Sequence, residues 1–144
     1  MKIFDAPILH KVLIRAPREN VYDAMTTAEG LDGWFTKGYF VGRKPGGKII
    51  LRWVDWGVDK VNTQTEAPII EVKLPERFVF KWWEDHYTIV EMDFIEVKEG
   101  TVVSVKEHGY QDSTEGHVRC LECATGWGEA LTLLKFYVEH GLRY

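Results

Sequence analysis

A chain of 144 residues, 45% apolar and 28% charged, is sized for one domain with its own core and needs no disulfide or metal staple. Its formal net charge of −4, with no run of Lys or Arg longer than a pair, excludes a nucleic-acid footprint. Cys120 and Cys123 are too few for a secreted disulfide framework, Met1 to Pro7 is no signal peptide, and no stretch approaches the roughly 18 apolar residues of a membrane span, so a cytoplasmic protein is expected.

The first segment, Ile8 to Arg15, reads as a strand, with Ile8, His10, Val12 and Ile14 on one parity. Pro17 ends it and suits the first turn of a helix. Val21, Ala24 and Met25 then fall at helical spacing, which predicts a short helix from about Pro17 to Met25. Thr27 is placed to cap a second short helix ending near Trp34 and Phe35.

From Lys37 to about Gly109 the period becomes two. The expected strands are Lys48–Val54, Thr63–Lys73, Arg77–Glu84, Tyr87–Val97 and Thr101–His108. Their separators are Gly46-Gly47, Leu74-Pro75-Glu76, Asp85-His86 and Glu99-Gly100. Connections this short imply antiparallel pairing, because parallel crossovers need a dozen residues or more.

From about Thr114 to Glu139 the residues Cys120, Ala124, Trp127, Leu131, Leu134 and Val138 mark one face of a long helix, with Gly141 placed to end it. The expected architecture is α+β: a curved six-stranded antiparallel sheet around a long C-terminal helix, with two short helices after the first strand. Without a repeat or a linker, residues 1–144 form a single domain in this reading.

Several ordered segments carry a resemblance. Arg15-Ala-Pro-Arg-Glu-Asn-Val-Tyr-Asp-Ala-Met-Thr26 is followed by Leu31 and Trp34-Phe35. Further on come the Gly46-Gly47 turn, Ile70-Glu71-Val72, Arg77-Phe-Val-Phe-Lys-Trp82, Gly100-Thr101 with Val103, Val105 and Glu107, Gly109-Tyr110, and Gly126-Trp127 with Leu131 and Leu134-Lys135. Together they resemble the homologues of the activator of heat-shock protein 90 ATPase, within the START-like (SRPBCC) helix-grip superfamily. The resemblance implies a cavity between sheet and long helix, which relatives use for lipids, hormones or polyketides. No cofactor is expected. Eukaryotic chaperone activators carry an added N-terminal domain without a counterpart here, so a chaperone partner is not expected.

Parity assigns the strand faces. Phe78, Phe80 and Trp82 share the side opposite Lys81; Val90, Met92 and Phe94 alternate with Glu91 and Asp93. Ile49, Leu51 and Trp53 oppose Lys48 and Arg52, and Val103, Val105 and Glu107 oppose Ser104, Lys106 and His108. The cavity candidates are therefore Trp34, Trp53, Phe78, Phe80, Trp82, Met92, Phe94, Val105, Glu107, Trp127 and Leu131. The tryptophans serve either as pocket lining or as core filling, since both uses draw on aromatic bulk. Glu107 is the sharpest candidate. An inward carboxylate either orients the polar end of a ligand, acts as acid or base, or sits at the sheet end bonded to backbone or water. Tyr87 and Tyr110 are candidates to orient a ligand beside it. Trp83 and Trp56 read as outward-facing, and an outward Trp83 raises a homodimer interface.

Other segments imitate chemistry. Gly42-Arg-Lys-Pro-Gly-Gly47-Lys48 follows a phosphate-loop spacing, but Ile49 replaces the Ser/Thr and a strand follows in place of a helix. Cys120 and Cys123 lie inside the helix pattern, not at a strand-to-helix turn where a thiolate is stabilised. The histidines His10, His86, His108, His117 and His140 show no metal spacing, and none is expected to hold a metal. No nucleophile elbow occurs.

The leading expectation is a binding protein for a small hydrophobic or amphipathic ligand. A polyketide-cyclase-like enzyme using Glu107 as acid or base is the alternative, and a co-chaperone-like interaction module the third.

Overall fold

The computed structural model describes residues 2–82 and 87–144. In chain order the elements are β1 (Ile8–Ile14), α1 (Arg18–Thr26), α2 (Ala28–Trp34), β2 (Lys37–Val41), β3 (Lys48–Trp56), β4 (Val61–Lys73), β5 (Arg77–Trp82), β6 (Thr88–Val97), β7 (Gly100–His108) and α3 (Thr114–His140). The strands form one antiparallel sheet ordered β1-β7-β6-β5-β4-β3-β2. This is the expected α+β arrangement, corrected from six strands to seven.

The added strand is β2. Its exposed residues Lys37, Tyr39 and Val41 alternate with half-buried Gly38 and Phe40. With Phe40 as its one large inward side chain, the segment lacks an apolar alternation long enough to read from sequence. Gly38 is required there, because an added Cβ would lie 2.9 Å from the Ile50 carbonyl oxygen.

Consecutive strands pair by short turns from β2 to β7, whereas β1 crosses to the far edge and pairs with β7, Ile8 opposite Glu107 and Ile14 opposite Thr101. Two register shifts bend the sheet, one in β4 between Ile69 and Glu71 and one between Trp53 and Trp56 of β3. Such an extra residue increases the local twist and re-aims the side chains beyond it. At the second shift Asp55 takes φ 49°, and its N–H donates to Asn62 Oδ1 at 3.1 Å. Trp56 is turned by this irregularity. Read as outward by parity, it instead packs edge-on against Phe35, ring centroids 5.5 Å apart.

The inner face of the sheet meets α1, α2 and α3. Ile14, Val21, Met25, Leu31, Trp34, Phe78, Phe80, Met92, Phe94, Val105, Leu131 and Leu134 are all buried in one cluster. Helix α3 is started by Ser113, whose hydroxyl accepts from the Gly116 N–H at 3.0 Å, and ended by Gly141 at φ 69°. An oxygen cap satisfies one of the four orphan N–H groups of the first turn. Replacing Ser113 by Ala is expected to cost about 1 kcal/mol, measured by urea denaturation. A change within error would assign the start of α3 to its packing alone.

On the outer face Arg77 gathers three carboxylates. Its guanidinium donates to Glu91 Oε1 at 2.6 Å, to both Asp93 oxygens and to Glu71 Oε2. The Arg77 bond holds the Glu91 carboxyl below its ordinary 4.5, with His108 adding to the effect. A carboxylate with a depressed folded pKa contributes stability above its unfolded value, and loses that contribution as pH falls through the folded one. Stability is therefore expected to fall below pH 4.5, and Arg77→Gln should flatten that acid limb while lowering the neutral plateau. An unchanged acid slope in the variant would remove Arg77 from this role.

Candidate functional site

Glu107 lies on β7 with its side chain turned into the core and is 1% exposed. Its Oε2 accepts from the Thr88 hydroxyl at 2.6 Å and the Tyr110 hydroxyl at 2.8 Å, and its Oε1 accepts from Trp127 Nε1–H at 2.8 Å. Three elements build this arrangement. Thr88 opens β6, Tyr110 follows β7 after the positive-φ Gly109, and Trp127 comes from the middle of α3. The carboxylate is thus bonded neither to backbone nor at an open sheet end. It is held by side chains that can only donate or that turn their hydroxyl toward it.

All three donors are neutral. Burial first, then the Glu107 charge, pushes the Tyr110 hydroxyl well above the ordinary phenol range. Next to it Cys123 is pushed up to about 12, chiefly by burial. Both groups keep their protons at neutral pH. Cys120 is raised for the same reason, with Glu107 again contributing. These are packed thiols without the electropositive setting of a reactive cysteine.

A row of aromatic rings runs from this carboxylate toward the surface. Trp127 meets Trp82 with centroids 5.6 Å apart, Trp82 meets Trp53 at 5.9 Å, and Trp53 meets Phe35 at 5.6 Å. Trp56 and Tyr144 complete the row at 4.4 Å. Trp127 and Trp82 are buried, whereas Trp53 and Trp56 are half-buried.

The inward candidates sort into two groups. Glu107, Trp127, Trp82 and Trp53 form the continuous line just described, with Phe80 beside Trp82 at 5.4 Å. Trp34, Phe78, Met92, Phe94, Val105 and Leu131 are buried in the surrounding core. Tyr87 lies on the surface with Lys81 over its ring, while Tyr110 is the tyrosine that reaches Glu107. Thr88 was not singled out by sequence, since a threonine opening a strand is ordinary. Its place opposite Trp82 emerges only with the β5–β6 register. His108, one residue from Glu107, points to the other face and bonds Glu91 at 2.9 Å. Trp83 lies outside the described residues.

Two surface clefts lie elsewhere among the described residues. One of about 410 Å³ lies under the N-terminal segment, lined by Phe4, Tyr87, Ile89, Lys106 and His108 among others. A second, about 520 Å³, lies beside α1 and the end of α3. Neither is lined by any of the inward candidates, and Glu107 itself is buried. Among the described residues no group of His, Cys, Asp or Glu is arranged to hold a metal.

Comparison with known proteins now places the chain. The family described as Activator of Hsp90 ATPase homolog 1-like protein matches residues 15–139. The chain belongs to this family.

The match runs from the end of β1 to the end of α3 and so takes in Glu107, Thr88, Tyr110 and Trp127. Solved structures share the family fold. The protein SSP2350 from Staphylococcus saprophyticus is 26% identical with a TM-score of 0.77, covering 96% of each chain. The Aha1 dimer from Colwellia psychrerythraea is 22% identical with a TM-score of 0.77, over 95% of this chain and 98% of that one. DynU16, from the dynemicin biosynthetic locus, is 18% identical with a TM-score of 0.79; it aligns over 97% of this chain and 50% of its own. No curated protein matches. In this family member no described helix is long and apolar enough to cross a membrane.

Proposed function

We propose that the chain is a single-domain binding protein for a small hydrophobic or amphipathic molecule, held between the sheet and α3 with Glu107 as its polar anchor. The observation that carries this reading is the buried Glu107 carboxylate at the inner end of the Trp127–Trp82–Trp53 row. Ligand sites pair an apolar, aromatic lining with a few fixed polar groups that set orientation. The row supplies the lining and Glu107 the fixed group. Binding parts the indoles, with half-buried Trp53 moving first, and each buried methylene of the ligand contributes about 0.8 kcal/mol.

An acid/base enzyme has less support, because Tyr110 and Cys123, both pushed up by burial, are poor proton donors to complement a Glu107 base. A homodimer is a further proposal, supported by the dimeric relative from Colwellia psychrerythraea. The proposed setting is the cytoplasm, where Cys120 and Cys123, both free here, stay reduced.

The test is native mass spectrometry of freshly purified protein, followed by organic extraction and tryptophan fluorescence with a panel of apolar ligands. A bound small molecule whose removal changes tryptophan emission is the expected result. Bare protein together with no emission change or thermal shift across the panel would overturn the reading in favour of a filled core.

A further inference from the structure

The buried Glu107 carboxylate has no cationic partner among the described residues. Among the described residues its bonded partners are Thr88, Tyr110 and Trp127, none of them Lys, Arg or His. The other titratable groups that feel its charge are Cys120 and Cys123, and both are held in the neutral thiol form. A carboxylate offers about four lone-pair positions, and three are filled here. A buried charge met only by neutral donors keeps much of its desolvation cost, which an opposite charge at close range offsets. The rings beside it point the same way. Trp127 presents its N–H edge to the carboxylate and packs at 70° against Trp82, which in turn tilts at 41° to Trp53. Indole faces attract cations through the ring quadrupole, most strongly where water is excluded.

From the uncompensated carboxylate and the three indoles we infer that this site selects a lipophilic cation, an ammonium or amidinium head on an apolar body, over neutral alcohols, and rejects carboxylates. The inference rests on the binding reading above and adds to it the charge of the ligand. The head takes the remaining acceptor position of Glu107, and the apolar body lies along Trp82 and Trp53. A fatty acid bound in the same orientation would bring two carboxylates together in a dry site, which is strongly unfavourable.

The test compares three probes of equal chain length, decylammonium, decanol and decanoate, titrated below micelle formation at neutral pH by calorimetry and tryptophan fluorescence. Decylammonium is expected to bind at least about tenfold more tightly than decanol, in keeping with a desolvated cation–aromatic contact, and decanoate most weakly. Glu107→Gln, which retains the side-chain size, is expected to bring decylammonium and decanol to nearly equal affinity. Since the chain carries a net charge of −4, a preference for decylammonium that persists in Glu107→Gln would assign it to the general surface charge and overturn the inference. Equal binding of the three probes to the wild-type protein, or tightest binding of decanoate, would overturn the charge selection and leave the binding reading standing. No heat and no fluorescence response from any probe would overturn both. If the variant is poorly folded, the wild-type comparison repeated at high salt separates the two sources, since salt screens exposed charges far more than a buried one; a preference lost at high salt would overturn the inference.

Discussion

Replacing Glu107 by Ala is expected to destabilise the protein by about 3–5 kcal/mol, because buried donors lose their acceptor and a buried side chain is cut back. The substitution takes away the acceptor of three buried donors at once: the Thr88 and Tyr110 hydroxyls and the Trp127 N–H. Each stranded donor costs roughly 1–3 kcal/mol. Relief of the buried charge offsets part of that sum, and the lost side-chain volume adds to it. Against a total stability of about 5–15 kcal/mol for an ordinary domain, the variant would stand at the edge of folding.

Glu107→Gln is expected to be far milder, at about 1 kcal/mol, the net value of a single hydrogen bond. The reason lies in which donors can turn round. Trp127 Nε1–H only donates, so the amide oxygen must face it, whereas the Thr88 and Tyr110 hydroxyls can rotate to accept from the amide nitrogen. Urea denaturation followed by circular dichroism measures both variants. A loss below about 1 kcal/mol in Glu107→Ala, less than one stranded donor costs, would show that the network contributes little to the fold.

The second large effect is expected at Trp34. This side chain is fully buried on α2, donates from Nε1 to the Ala24 carbonyl of α1 at 2.8 Å, and stacks on Phe35 with centroids 4.9 Å apart. It therefore fixes the angle between the two short helices as well as filling volume. The helices touch closely elsewhere too, since a Cβ at Gly30 would lie 2.4 Å from that same Ala24 oxygen. Trp34→Ala is expected to cost about 3–5 kcal/mol as a large-to-small core change, which lowers Tm by roughly 10 °C or more at this chain size. Trp34→Phe keeps most of the ring but strands the carbonyl, at about 1–3 kcal/mol. Thermal unfolding of the two variants separates volume from hydrogen bond. Equal Tm values for them would leave the ring volume without a share, and a Tm for Trp34→Phe equal to wild type would leave the Nε1–Ala24 bond without one.

Most of the fold was legible because β6 and β7 alternate almost throughout and α3 keeps an apolar spacing along the helix. Legibility failed where one residue changes the periodicity. The irregularity at Asp55 reverses the face of Trp56, and parity counted from Ile49 cannot detect it. It failed again at β2, where a glycine and a single inward phenylalanine give too short a pattern.

The candidate site shows the same division. The inward direction of Glu107 follows from its strand alone, but its partners lie on other elements, and no local pattern joins Thr88 to β7 or Trp127 to both. Their meeting depends on the β6–β7 register, with Ile89 opposite His108 and Val90 opposite Glu107, and on the rotation of α3 about its axis. Neither quantity is written in a sequence window.

The placement of β1 at the sheet edge beside β7 governs the order in which the molecule can assemble. The strand β1 has its ladder partner about two thirds of the chain length away, Ile14 opposite Thr101 and Ile8 opposite Glu107, and Lys135 of α3 must reach back to the Leu13 carbonyl. Strands β2 to β7 can zip by local hairpins, but closure of β1 waits for the C-terminal third of the chain. Such non-local pairing places folding on the slower, millisecond-to-second side of mixed α/β domains. On the ribosome, the first strand stays without its sheet partner until β7 has emerged, and its unpaired edge is then the part of the nascent chain most in need of protection.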